Sequence, residues 1–140
     1  MSVFPGFARA TVVVALLSIA TASSASEGET LYALNCSGCH GRDARGMPPQ
    51  IPDLRASLPL LLSTAAGRGY ALRVPGVAMS IATQQQVRTI LNWMLPALIP
   101  GGERYTPFTL AEVATARRSP LTDPESARAL LLDDGYGDPR

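Results

Sequence analysis

An all-α fold is what this sequence predicts, and three observations predict it. Serine or threonine stands three residues ahead of glutamate or glutamine at Ser26/Glu29, Thr83/Gln86 and Thr109/Glu112, the reciprocal capping pattern that opens a helix. Val87, Ile90, Leu91 and Met94 recur at i, i+3, i+4 and i+7, which is one face of a helix. No stretch alternates apolar and polar residues as a half-buried strand does, and no internal repeat is present.

Taken in order, the chain begins with the layout of a secretory signal peptide over residues 1–25. A short start with one positive charge, Arg9, leads into the apolar run of residues 11–20, and small residues at 21–26 offer cleavage after Ala25 or Ala22. The run is too short to span a bilayer, so membrane attachment is expected only if this segment is retained. Ser26 then caps a helix over residues 27–35, with Glu27 and Glu29 at the positive end of its dipole. Residues 41–55, with three prolines and two glycines, read as loop. A second helix is expected over residues 57–66, Pro59 in its first turn, broken by Gly67 and Gly69. A short turn at residues 70–74, the Pro75-Gly76 turn and an extended passage through residues 77–80 precede the clearest helix, which Pro96 ends at Leu95. After a loop over residues 96–107 come two more helices, from Thr109 to about Arg118 and from Pro124 to about Leu132, with residues 133–140 frayed. The domains expected are a signal peptide at 1–25, a first domain at 26–99 and a helical C-terminal extension at 100–140.

Composition narrows the partners. Removing residues 1–25 leaves 11 arginines against 11 acidic groups, so the remaining chain is formally neutral and has no basic excess pointing to nucleic acid. Every basic residue is arginine, so any cationic surface must be built from guanidinium groups.

The chemistry sits in Cys36-Ser37-Gly38-Cys39-His40, which contains both cysteines and the sole histidine of the chain. Cys-x-x-Cys-His is the pattern of covalent haem attachment. Two thiols one helical turn apart can form thioethers to the two vinyl groups on one porphyrin edge, and the adjacent imidazole can bind iron. A disulfide across two intervening residues would close a tiny loop and stabilise little. A redox Cys-x-x-Cys needs a βαβ setting, and a zinc site needs a fourth ligand that this chain does not offer.

With that motif, Pro52-Asp53-Leu54 after it, and Met79 ahead of a closing helix that carries Trp93, residues 27–95 resemble a class I (monohaem) c-type cytochrome. The resemblance implies a small cytochrome c fold wrapping one haem c, with the helix at 27–35 crossing the helix at 84–95. It implies Cys36 and Cys39 as thioether attachments and His40 as the proximal ligand. It gives the Pro52 carbonyl as acceptor for the other His40 nitrogen, with Pro48 and Pro49 as alternatives. Met79 is the sixth ligand it implies, ahead of Met94, which packs in the core on helical period, and Met47. Arg68 and Arg73, or the polar tips of Tyr70 and Trp93, are candidates for the haem propionates. Arg117, Arg118 and Arg128 read as solvated helix faces.

The function so implied is one-electron transfer among periplasmic redox proteins, a dehydrogenase or a terminal oxidase or reductase, with no catalytic residues. Two alternatives remain open from sequence. One is a five-coordinate haem that binds a small ligand as sensor or enzyme, against which the absence of a second histidine argues. The other is a haem subunit of a periplasmic dehydrogenase, held by the extension at 100–140.

Overall fold

The computed structural model describes residues 23–133. Among them are eight α-helices: α1 (Ser23–Asn35), α2 (Ser37–His40), α3 (Leu54–Leu61), α4 (Ala65–Arg73), α5 (Pro75–Ala78), α6 (Gln84–Leu98), α7 (Leu110–Ala116) and α8 (Pro124–Asp133). No strand is present among the described residues, where Met47 and Ile51 form an isolated antiparallel bridge. Of the signal segment expected at 1–25, all but the last three residues lie outside the described region, as do residues 134–140 of the expected frayed end.

The frame is the packing of α1 on α6. Gly28 makes it possible, because a Cβ there would collide with Cβ and Cγ of Trp93. One turn on, Tyr32 is 2 % exposed and its ring centroid lies 5.6 Å from that of Trp93, tilted by 45°. Val87, Ile90, Leu91 and Met94, the stripe read from the sequence, are buried on α6 with Leu95. Thr83 and Gln86 complete both halves of their capping box, at 3.2 and 2.8 Å, an arrangement worth about 1 kcal/mol to the helix start.

Several expected boundaries are corrected. The helix α1 starts at Ser23, so Ser26 lies inside it rather than at its cap; nothing in Ser-Ser-Ala-Ser interrupts a helix. The helix expected at 57–66 is two helices. Asp53 caps α3 by accepting from the amides of Arg55 and Ala56 at 2.8 and 3.3 Å, and Thr64 caps α4 by accepting from Gly67 at 3.0 Å. Gly67 does not break α4 but sits inside it, buried where a Cβ would strike the carbonyl of Leu61. Its missing side chain lets α3 and α4 turn tightly on one another. The passage expected to be extended contains α5, with Pro75 at its first position.

Pro96 does not end α6, which runs to Leu98. A proline in the last turn removes one amide donor, and the burial of Leu95 and Ile99, 2 % and 3 % exposed, holds that turn in place. The helix ends instead at Ile99, whose backbone turns extended (φ −98°, ψ 126°), and Gly101 in the left-handed conformation (φ 69°) then opens the short 3-10 turn Gly102–Arg104.

The extension packs onto these helices. Asn92 of α6 brackets Phe108, accepting from its amide at 2.7 Å and donating to its carbonyl at 2.9 Å. Arg68 of α4 grips the start of α7 by a two-point contact with Glu112, at 2.7 and 3.2 Å. It also donates to the carbonyls of Thr106 and Pro107, and its guanidinium lies 4.0 Å from the Phe108 ring centroid. Tyr70 donates to the Pro124 carbonyl at 3.0 Å, tying α4 to the head of α8. No helix among the described residues is long and apolar enough to cross a membrane.

Candidate haem site

The site is built on one turn of chain. Helix α1 ends at Asn35, and Cys36 caps the four-residue α2. Amides of Cys39 and His40 donate to the Cys36 carbonyl at 3.3 and 3.0 Å, so Cys36, Cys39 and His40 are gathered by backbone alone. Both thiols are free; Cys36 is half-buried and Cys39 exposed. Burial, with the neighbouring Cys39 adding, raises the Cys36 thiol pKa. Gly41, at φ 73°, turns the chain away, and Tyr32 donates its hydroxyl to the Gly41 carbonyl at 2.8 Å. Burial, then the neighbouring charges of Cys36 and Asp43, pushes the Tyr32 phenol up to about 12, so it stays a donor.

The following loop folds back on His40. The Gly46 amide donates to the His40 carbonyl at 2.8 Å, Met47 and Ile51 exchange two bonds of 3.0 Å, and the Leu54 amide donates to the Ala44 carbonyl at 2.9 Å. The bridge of Met47 and Ile51 sets Pro52 beside the imidazole. Nδ1 of His40 is buried and completes no hydrogen bond of ordinary geometry. Burial lowers the His40 pKa, and the Pro52 carbonyl opposes that shift, so it lies close enough to act on the ring. A neutral imidazole with Nδ1 turned into protein has Nε2 left for a metal.

These residues fit a covalently held haem on their own chemistry: two unpaired thiols on one turn, and a buried Nδ1 beside a carbonyl. Met79 is the C-cap of α5 and is 68 % exposed; other large apolar residues are exposed too, such as Ile81 two positions on. No hydrogen bond links it to the Cys36–His40 turn. Met94 is 4 % exposed within the core, and Met47 is 62 % exposed on the loop bridge.

The propionate candidates are otherwise engaged. Arg68 and Tyr70 face the extension as described, and Arg73 donates through Nε to the Ser119 carbonyl at 2.7 Å. Trp93 packs between Gly28 and Tyr32. Arg117 is not a solvated face: it donates to the carbonyls of Ala82 and Ser80, at 2.8 and 2.6 Å. The sequence reading missed this contact, because one arginine near a helix end carries no mark of where it reaches. It also missed Tyr32 and Gly46 as supports. For Gly46 a signal existed, since glycine ahead of Met47-Pro48-Pro49 in a tight loop invites positive φ, observed at 63°.

The cytochrome c family model matches residues 25–112 of the chain. Neither a curated protein nor a solved structure matches it.

Proposed function

Because the chain belongs to the cytochrome c family and so carries covalent haem c, we propose that this electron carrier works in the periplasm and that His40 and Met79 would be the residues that hold its iron. The observation that carries the reading is the Cys36–His40 turn, with the buried Nδ1 of His40 beside Pro52. When bound, the haem supplies one-electron redox chemistry, and methionine ligation raises its potential. The chain's own part is to hold. Cys36 and Cys39 would anchor the group on a helical turn, and the Pro52 carbonyl would orient His40 by accepting a hydrogen bond from its Nδ1–H. Met79 stands on a short segment between α5 and α6, with a flexible thioether free to reach iron. With His40 and Met79 both holding it, the group would supply one-electron transfer rather than turnover of a substrate.

The periplasmic setting is supported by the signal-peptide layout of residues 1–25, and the partners proposed are redox proteins there, a dehydrogenase or a terminal oxidase or reductase. Such partners meet through small, transient interfaces. The extension lies packed on α3, α4 and α6, so a role as a subunit would use its outer face.

Spectroscopy tests the ligand set. The oxidised holoprotein is expected to show the sulfur-to-iron charge-transfer band, and Met79→Ala to abolish it. A parent protein without the band that binds carbon monoxide rapidly once reduced would establish the five-coordinate alternative instead. Mass spectrometry of the exported protein is expected to find Ser26 at the amino terminus.

A further inference from the structure

We infer that residues 117–121 of the extension clamp the segment that carries Met79 and thereby hold its thioether on iron, Arg117 being the principal positioning residue. The inference rests on Met79 as the sixth ligand. Between α4 and α6 the chain has little length: Val74, the four residues of α5, Met79 and residues 80–83. Its first half supports itself, with the amides of Val77 and Ala78 on the Val74 carbonyl and that of Met79 on the Pro75 carbonyl, all at 2.9 Å. Beyond Met79 the local support thins to a 3.4 Å bond from the Ser80 amide to Val77 and a 3.1 Å bond from the Ala82 amide to the Ser80 hydroxyl. Ile81 between them is 99 % exposed.

That weak stretch is where Arg117 arrives. One guanidinium nitrogen takes the Ala82 carbonyl and another the Ser80 carbonyl, so a rigid planar fork spans the three residues after Met79. These are charge-assisted bonds in a part-buried place, stronger than ordinary ones. On the other flank, the Leu121 amide donates to the Arg73 carbonyl at 2.9 Å and Arg73 Nε donates to Ser119 at 2.7 Å. The ligand segment is therefore tied to residues 117–121 at both ends. These residues lie beyond the stretch that the family model matches, so the clamp belongs to this chain's extension.

A probe that displaces Met79 reads the strength of the clamp. Imidazole binds ferric iron only when the segment swings away, so its apparent affinity scales with how often it does. In the full-length ferric holoprotein, Arg117→Ala is expected to weaken the charge-transfer band and tighten imidazole binding at least about tenfold, the scale of losing charged hydrogen bonds. Arg117→Lys, a point charge in place of a fork, is expected to recover part of the difference. Arg118→Ala is expected to match the parent, since Arg118 bonds back to the preceding helix α7 at Ala114 and Thr115 and not to the Met79 segment. Should Arg117→Ala fail to take up haem, Arg117→Lys and Arg117→Gln carry the same comparison. The clamp is refuted if Arg117 variants bind imidazole as the parent does while Met79→Ala loses the band, or if Arg118→Ala behaves like Arg117→Ala. A parent that lacks the band before any Arg117 substitution overturns the Met79 reading, and the clamp with it.

Discussion

At Gly46 the absence of one carbon decides where the Pro52 carbonyl rests. The residue has φ 63°, and a Cβ there would stand 2.6 Å from the carbonyl oxygens of both Ile51 and Pro52. An alanine must accept the left-handed conformation and also push two backbone oxygens aside. The first costs about 1 kcal/mol and the second about 1–3 kcal/mol. Gly46→Ala is therefore expected to destabilise the protein by about 2–4 kcal/mol in urea unfolding and to move Pro52 away from His40. An unchanged urea midpoint would show that the loop yields freely. Ala44 nearby also has positive φ, 63°, while fully buried, so this loop already tolerates one strained position. The core of the site was legible at this scale, because Cys36, Cys39 and His40 are adjacent in sequence and one helical turn gathers them. Its supports were not. The bonds from Tyr32 to Gly41 and from Arg117 to Ser80 and Ala82 join groups whose meeting depends on how the loops close.

Among the elements, the best-read helices were those with both a cap and a stripe. The starts of α6 and α7 follow from Thr83/Gln86 and Thr109/Glu112, and both capping boxes form completely. Errors arose where local propensity and packing disagree: Gly67 within α4 and Pro96 within α6 are unfavourable residues kept helical by what they touch. Asp53, directly before Leu54, was an N-cap signal in plain view. The box at α7 has a pH consequence. Hydrogen bonds from Arg68, chiefly, hold the Glu112 carboxyl well down, from its ordinary 4.5 to about 2. A carboxylate with a lowered folded pKa contributes stability above its unfolded value, and that contribution is lost as pH falls from about 4.5 towards 2. With the Glu112 side chain 34 % exposed, solvent screening reduces the effect to about 1–2 kcal/mol. Urea midpoints of the parent are expected to drop more steeply than those of Glu112→Gln across that window, and parallel curves would count against the pairing.

For the whole molecule, the all-α class and the crossing of the first helix with α6 followed from the sequence and its resemblance. The seating of the extension did not, because Arg68, Tyr70 and Arg73 each had a plausible partner elsewhere. The crossing also governs kinetics. Gly28 and Trp93 stand about 65 residues apart, and bringing such distant points together costs about 4 kcal/mol of chain entropy before their contact offers any return. The loop they close contains the attachment turn, Pro52 and Met79. Assembly of the molecule is thus expected to be limited by a single long-range encounter rather than by its helices, which form locally and fast. In stopped-flow experiments Gly28→Ala is expected to slow refolding, whereas Tyr70→Phe, which loses only the bond to Pro124, mainly hastens unfolding. A Gly28→Ala chain that refolds at the parental rate would place the crossing after the barrier. The missing Cβ of Gly28, described above as a matter of fit between two helices, is in this light a gate on the time the chain needs to become itself.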